Sequence, residues 1–218
     1  YWSMLIFFAV GLVVTMIIQS SAATIAIVLI MSSKGWIPFS MACAIVLGSN
    51  VGTTITPLLA SLGGNTAAKK AAGIHLIYNL ISAAWMFVVF FWFVDLSAWV
   101  TRMIGFGDPT VLYTRGTTAD AAALDAMQRS TSWGLTVYHT LYNIFSLLLM
   151  IGFTGFLVKA VNYFVKSKPA EEGEMQLKYI SAGLVGAAEL NILQAQRETV
   201  VFAQRVERMF GMVKTLVH

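Results

Sequence analysis

Two polar clusters interrupt stretches of this chain that are otherwise apolar enough for the middle of a lipid bilayer. They are Gln19-Ser20-Ser21-Ala22-Ala23-Thr24 and Gly48-Ser49-Asn50-Val51-Gly52-Thr53-Thr54. Hydrocarbon offers backbone N–H and C=O groups no partner, so interrupted backbone at that depth is tolerated only where it faces protein, water or a bound ion. Such a chain is expected to fold as helices that stop part-way through the membrane, with a binding site where they stop.

A hydrophobic fraction of 58 % and a charged fraction of 11 % lie outside the range of a soluble domain. The first hundred residues carry Lys34, Lys69, Lys70 and Asp95 as their only charges, whereas charge is dense from residue 166 onward. That asymmetry divides a bilayer-embedded part from a wet C-terminal part. The net charge of +4 does not point to nucleic acid, because the basic residues flank apolar spans and form no stripe with stacking aromatics. The single Cys43 lies in an apolar run, which leaves no disulfide framework and no set of thiol ligands. The opening Tyr-Trp-Ser has no Met and no charged n-region, so the chain is expected to continue upstream.

The expected fold class is an all-α membrane protein, with residues 1–166 forming its transmembrane part. Residues 4–18 make an apolar segment of fifteen, short of the roughly 20 that a spanning helix needs. A second short run follows at 22–31. Two half-length runs joined by a polar tip predict a re-entrant helical hairpin over about 3–33 that enters and leaves by one face. Residues 38–47 and 55–62 are half-length too, and the glycines around Asn50 predict an unwound break at 48–52 within one discontinuous helix over about 36–62. Full spans are predicted over about 70–96 and 132–165, with Trp85, Trp92 and Trp99 as headgroup anchors. The polar loop between them carries an Ala-rich patch suited to a short surface helix. Residues 167–176 read as a linker, and 177–218 as an amphipathic helical segment expected to run on past His218.

Lys69 and Lys70 precede one span while Lys159, Lys166 and Lys168 follow the next. This places both sets, and the C-terminal tail, on the cytoplasmic side of the inner (plasma) membrane. Lys34 runs against that rule. The pattern His-x-x-Tyr-Asn occurs twice, at His75 to Asn79 and at His139 to Asn143, each near the start of a span. It puts His and Asn one helical turn apart, able to pair with each other or with a neighbouring helix. His75, Asn79, His139 and Asn143 are therefore expected to be structural polar residues.

A half-helix end exposes unpaired N–H groups at its N-terminus and unpaired carbonyls at its C-terminus, worth about half an elementary charge of either sign. Ser20, Ser21 and Thr24 stand where the second hairpin arm begins, and Thr53 and Thr54 where the second half of the broken helix begins. These five are the expected oxyanion contacts. Carbonyls around Gln19 and Gly48, with the Asn50 side-chain oxygen and the hydroxyls of Ser20 and Thr53, supply neutral hard ligands for an alkali cation. No carboxylate occurs before Asp95, so a proton relay or a divalent cage of acids is excluded from this half. Sodium needs no acid, and burying it beside an anion lowers the cost of both charges.

These residues resemble the sodium/phosphate cotransporter family, the type II class with bacterial members. Thr15, Gln19, Ser20, Ser21 and Thr24 fit its Gln-Ser-Ser hairpin motif. Gly48, Asn50, Gly52, Thr53 and Thr54 fit its Gly-x-Asn-x-Gly-Thr motif. The third serine of that tip is Ala22 here. The resemblance implies one of two inverted repeats, the C-terminal one, followed by the start of a PhoU-like helical domain. It implies sodium-coupled import of inorganic phosphate, with sodium as coupling ion, no other metal and no cofactor. The implied partners are phosphate, sodium, the bilayer, and a missing first repeat or a second copy of the chain. Other readings stand beside it. The same machinery could carry another small oxyanion, or the chain could anchor a phosphate-signalling protein. The Gln19 cluster could be packing glue between helices. No His or acid lies near Ser20 or Ser21 in sequence, so an enzyme with a serine nucleophile is not expected.

Overall fold

The computed structural model describes residues 1–115, 120–166 and 188–217, and these are helical with no strand among them. Two units divide the chain, Tyr1–Lys166 and Ser167–His218. In the first, α1 (Trp2–Ile18) and α2 (Ser21–Ser33) are separated by two residues only. Gln19 adopts φ 56°, the one positive φ among the described non-glycine residues, and closes α1 by donating its N–H to the Thr15 carbonyl at 2.7 Å. Ser20 is extended and caps α2, its Oγ accepting from Ala23 N at 3.2 Å. The left-handed residue and the cap together reverse the chain with no loop.

Helix α3 (Phe39–Gly52) is the axis of the unit. Eleven of its fourteen residues are buried, so it has no face left for lipid. The helix runs unbroken through Gly48, Asn50 and Gly52, and the interruption falls at Thr53–Thr54, before α4 (Ile55–Ser61). This corrects the expected unwinding at 48–52, and the physical reason is Pro57. Proline has no N–H to give the Thr53 carbonyl one turn back, and its ring crowds that oxygen. Thr54 N turns to the Val51 carbonyl at 3.1 Å, where helical continuity would have sent it to Asn50. The glycines serve close packing. A Cβ on Gly48 would run into the Phe8 carbonyl of α1, one on Gly11 into the Ile45 carbonyl of α3, and one on Gly52 would lie 2.6 Å from the Leu12 carbonyl. Backbones of α1 and α3 thus touch across small residues, as membrane helices do when dispersion contacts must replace the hydrophobic effect.

Helix α5 (Thr66–Met103) starts upstream of the expected span, capped by Asn65, whose Oδ1 accepts from Ala68 N at 2.9 Å. Helix α7 (Ala121–Ile151) likewise starts early, capped by Asp120, so the Ala-rich patch is its first turn and no separate surface helix. Between them lies a short turn of helix, α6 (Leu112–Arg115). Among the described residues three apolar helical stretches are long enough to cross a membrane: Phe39–Ser61, Thr66–Met103 and Ala121–Ile151. Aromatic edges knit α5 to α7, with Phe93 meeting Tyr138 at 5.7 Å and Phe145 at 5.6 Å.

The expected single span over 132–165 is in fact two elements. Helix α7 stops at Ile151, and α8 (Thr154–Phe164) follows after Gly152 and Phe153. In the second unit the described element is α9 (Ala188–Val217), with Arg197, Glu198, Arg205, Glu207 and Arg208 among exposed apolar residues such as Phe202 and Phe210. The expected linker and the start of the amphipathic segment lie outside the described residues, as do Lys168 and His218.

The α5–α7 connection carries one tight electrostatic knot. Arg102 Nη1 donates to Asp108 Oδ2 at 2.8 Å, while Thr110 donates from N and Oγ1 to Oδ1 at 3.0 and 2.7 Å. Burial pushes the Asp108 carboxyl up, but the Thr110 bonds and the Arg102 charge outweigh it and hold the group below its ordinary 3.8. A depressed folded value means stability that is present above 3.8 and lost as the pH falls through the lower folded value. The protection factors of the amides at residues 104–111, with intrinsic exchange divided out, are expected to fall only as the pH drops below 3.8, and Asp108→Asn to abolish that fall. Protection factors that stay constant through that range in the unsubstituted protein would sink the assignment.

Candidate functional site

The hairpin and α3 meet at three buried hydroxyls. Thr15 Oγ1 of α1 lies 3.0 Å from Thr24 Oγ1 of α2 and 2.9 Å from Ser49 Oγ of α3, all within hydrogen-bonding distance. Each residue is at most 1 % exposed. Thr24 Oγ1 also donates to the Ser20 carbonyl at 3.2 Å. One side-chain chain thus ties both hairpin arms and the tip to the residue beside Asn50. Thr15 thus bridges the two polar clusters, bonding Thr24 of the first and, across 34 positions, Ser49 of the second.

Depth follows from counting. The apolar stretch Phe39–Ser61 has 23 residues, and Asn50 is twelfth from either end. Asn50 Nδ2 is buried and has no hydrogen-bond partner. An orphaned amide N–H₂ at the centre of a span costs about 1–3 kcal/mol, so a fold that keeps one has a use for it. Gln19 adds a second local cost, since a left-handed non-glycine residue is disfavoured by about 1–2 kcal/mol. Both costs fall at the junction of hairpin and broken helix.

The remaining sequence-predicted residues divide. Ser20 and Ser21 are half-buried at the tip, Thr24 is buried, and Gln19 is exposed. Thr53 and Thr54 do not aim their hydroxyls at the hairpin. Thr53 Oγ1 donates to the Ser49 carbonyl at 2.8 Å and Thr54 Oγ1 to the Val51 carbonyl at 2.7 Å, and their backbone N–H groups are also spent on α3. Their donors are committed, so only oxygen lone pairs are left to offer, which suits a cation and not an anion. Gly48 has its surface covered by Phe8 and Leu12 backbone. The carbonyls deprived of helical N–H partners are those of Asn50 and Thr53, released by the Thr54 turn and by Pro57.

The repeated His-x-x-Tyr-Asn pattern has one geometry in both copies. Asn79 Nδ2 donates to the His75 carbonyl at 2.9 Å, and Asn143 Nδ2 to the His139 carbonyl at 2.7 Å. Each pair closes within its own helix.

Thr15 and Ser49 hold central places although neither is among the ion contacts expected from the sequence. A signal was there for Thr15, the lone polar side chain in residues 4–18. Ser82, Tyr138, Tyr142 and Ser146 are further buried polar residues of α5 and α7 that carry no expected role. Tyr138, Tyr142 and Ser146 recur at fourth positions, which lines one helical face with hydroxyls.

A family model described as Na+/Pi-cotransporter matches residues 3–111. The protein named "Uncharacterized protein YqeW" of Bacillus subtilis is 40 % identical over 83 residues, 38 % of this chain and 26 % of its own. One named "Putative inorganic phosphate export protein YjbB", of Salmonella typhimurium, is 21 % identical over 209 residues, 96 % of this chain and 34 % of its own. Sodium-dependent phosphate transport protein 2A of Ovis aries is 37 % identical over 79 residues, 34 % of this chain and 12 % of its own. The chain therefore spans about a third or less of the length of these relatives. No solved structure matches it.

Proposed function

The chain belongs to the Na+/Pi-cotransporter family, and from that premise we propose that it forms one half of a midplane site for sodium-coupled import of inorganic phosphate. The observation that carries the proposal is the Thr15–Thr24–Ser49 junction beside the orphaned Asn50 amide. Helix ends sort the ions. The C-terminal ends of α1 and α3, with the Asn50 and Thr53 carbonyls and the Thr53 hydroxyl oxygen, present negative dipole to sodium. The N-terminal end of α2, with Ser20 and Ser21, presents N–H and O–H groups to an oxyanion. Each ion then lowers the cost of burying the other.

The hairpin is read as re-entrant. Tyr1 rests on Phe91 at 5.2 Å between ring centroids and Gly35 lies beside Leu112, contacts that fit both ends of the hairpin opening toward the α5–α7 connection. The lysines around Lys69 and Lys159 then face the cytoplasm across the inner membrane. The other half of the site comes from a second repeat or a second copy, and the C-terminal unit is of the PhoU-like kind.

Direction has a second reading. The likeness that extends over 96 % of this chain is to a protein named for phosphate export, whereas the likeness to the sodium-dependent transporter covers 34 %. An inward sodium gradient drives a coupled phosphate inward, so export by the same site requires phosphate to move without that coupling.

Labelled phosphate flux into vesicles holding the protein tests both. Replacing sodium by choline is expected to cut influx at least about tenfold, and Ser20→Ala to cut it by a similar factor, the loss of one bond to an ion. Influx indifferent to sodium and to Ser20→Ala overturns the coupled reading, and efflux alone selects export. Sulfate competing as well as phosphate would reassign the substrate among oxyanions.

A further inference from the structure

We propose that α8, with Lys159 and Lys166 and the adjoining Lys69, lies along the membrane surface and holds the headgroups of anionic lipids. Helix length sets the depth of α8. From Trp133 to the end of α7 at Ile151 the chain rises roughly 28 Å, at about 1.5 Å per residue, close to the ~30 Å of a bilayer's hydrocarbon. The bilayer is already crossed when α8 begins. Helix α8 itself has eleven residues, a rise of roughly 16 Å, too short for a second crossing.

One stripe of α8 is buried, and it is used up. Leu157 and Val161 are 4 % and 2 % exposed, and Val161 packs on Gly73 near the start of α5. This contact brings α8 to the end of the unit that carries Lys69. Phe156 and Tyr163 stay 57 % and 78 % exposed on one flank. By helical spacing, Lys159 and Asn162 fall on the side away from α5. Lys69, Lys159 and Lys166 are exposed, and neither 66–76 nor 152–166 contains an acidic residue. Among the described residues these two segments bring lysines and no carboxylate to one end of the unit, a charge that suits an anion from outside the protein. The aromatic flank decides which kind, because Phe156 and Tyr163 need an acyl boundary that a soluble phosphate cannot provide.

Native mass spectrometry of the purified protein with equimolar phosphatidylglycerol and phosphatidylcholine tests the proposal. Adducts of phosphatidylglycerol are expected to dominate, and the Lys159→Gln/Lys166→Gln double variant to lose that preference by on the order of tenfold. Lys159→Arg/Lys166→Arg is expected to keep it, since charge and not side-chain length attracts the headgroup. A spin label on Phe156→Cys is expected to report headgroup depth. Equal retention of both lipids, an unchanged preference in the Gln variant, displacement of the lipid by excess inorganic phosphate, or a label at the bilayer centre would each overturn the assignment.

Discussion

Gly48→Ala is expected to lower the stability of the protein by about 3 kcal/mol and to abolish phosphate flux. The sign is the test, because alanine in the interior of a helix normally stabilises by about 1 kcal/mol relative to glycine. Here the added methyl meets main chain. It would collide with the Phe8 carbonyl oxygen and lie 2.9 Å from both the Phe8 carbonyl carbon and Leu12 N, none of which can rotate aside. Helices α1 and α3 must part to admit it, and Thr15 then leaves Ser49, whose oxygens are 2.9 Å apart. Hydrogen bonds weaken steeply over that range, so the junction opens together with the packing. Gly63→Ala is the control, since a Cβ there has nothing within 4 Å. Equal thermal midpoints and equal flux for the two variants would show that the close crossing of α1 and α3 does not exist in the membrane.

That crossing also explains which parts of the fold were legible in the sequence. The hairpin ends and Asn50 could be located because polar residues in apolar runs admit few explanations. The glycines of α3 serve close packing, where the expected role was unwinding. Glycine favours unwinding when nothing packs on it, but it also lets two helices touch, and only the partner helix decides between these. The signal for the actual interruption was Pro57, which removes a donor at a fixed offset and so marks Thr53 regardless of tertiary contacts. Thr53 and Thr54 were misjudged for the same reason, because a hydroxyl near a break is as readily satisfied by the carbonyl three or four positions back as by a ligand.

The span over 132–165 failed differently. Hydropathy continues through Phe153, Phe156 and Leu157, so it offers no boundary at Ile151. The local mark is Gly152, which caps α7, and Val161 of α8 then packs on Gly73. In the His-x-x-Tyr-Asn repeat the bond runs from the Asn amide to the His backbone carbonyl within one helix, so its geometry needs no knowledge of neighbours. Thr15 and Ser49, in contrast, acquire their importance only by meeting each other across 34 positions.

Asn50 is where stability and function should separate. Asn50→Ala is expected not to lower the thermal midpoint, because the Nδ2 it deletes has no hydrogen-bond partner to lose and its unpaired burial is itself a cost. Flux of phosphate is expected to fall at least about hundredfold, the upper range for a bond to a charged group in a dry site. Asn50→Asp divides the two ions. The carboxylate keeps an oxygen for sodium and adds attraction to it, but it offers no N–H to an oxyanion and repels one at close range. Sodium binding, read by ²³Na relaxation or by sodium-dependent thermal protection, is expected to persist in Asn50→Asp, while phosphate no longer adds protection. If Asn50→Asp loses sodium but still binds phosphate, the ion assignments at this junction are reversed. If Asn50→Ala transports normally, the orphaned amide has no ligand at all. The Gly48 result then becomes a statement about packing alone.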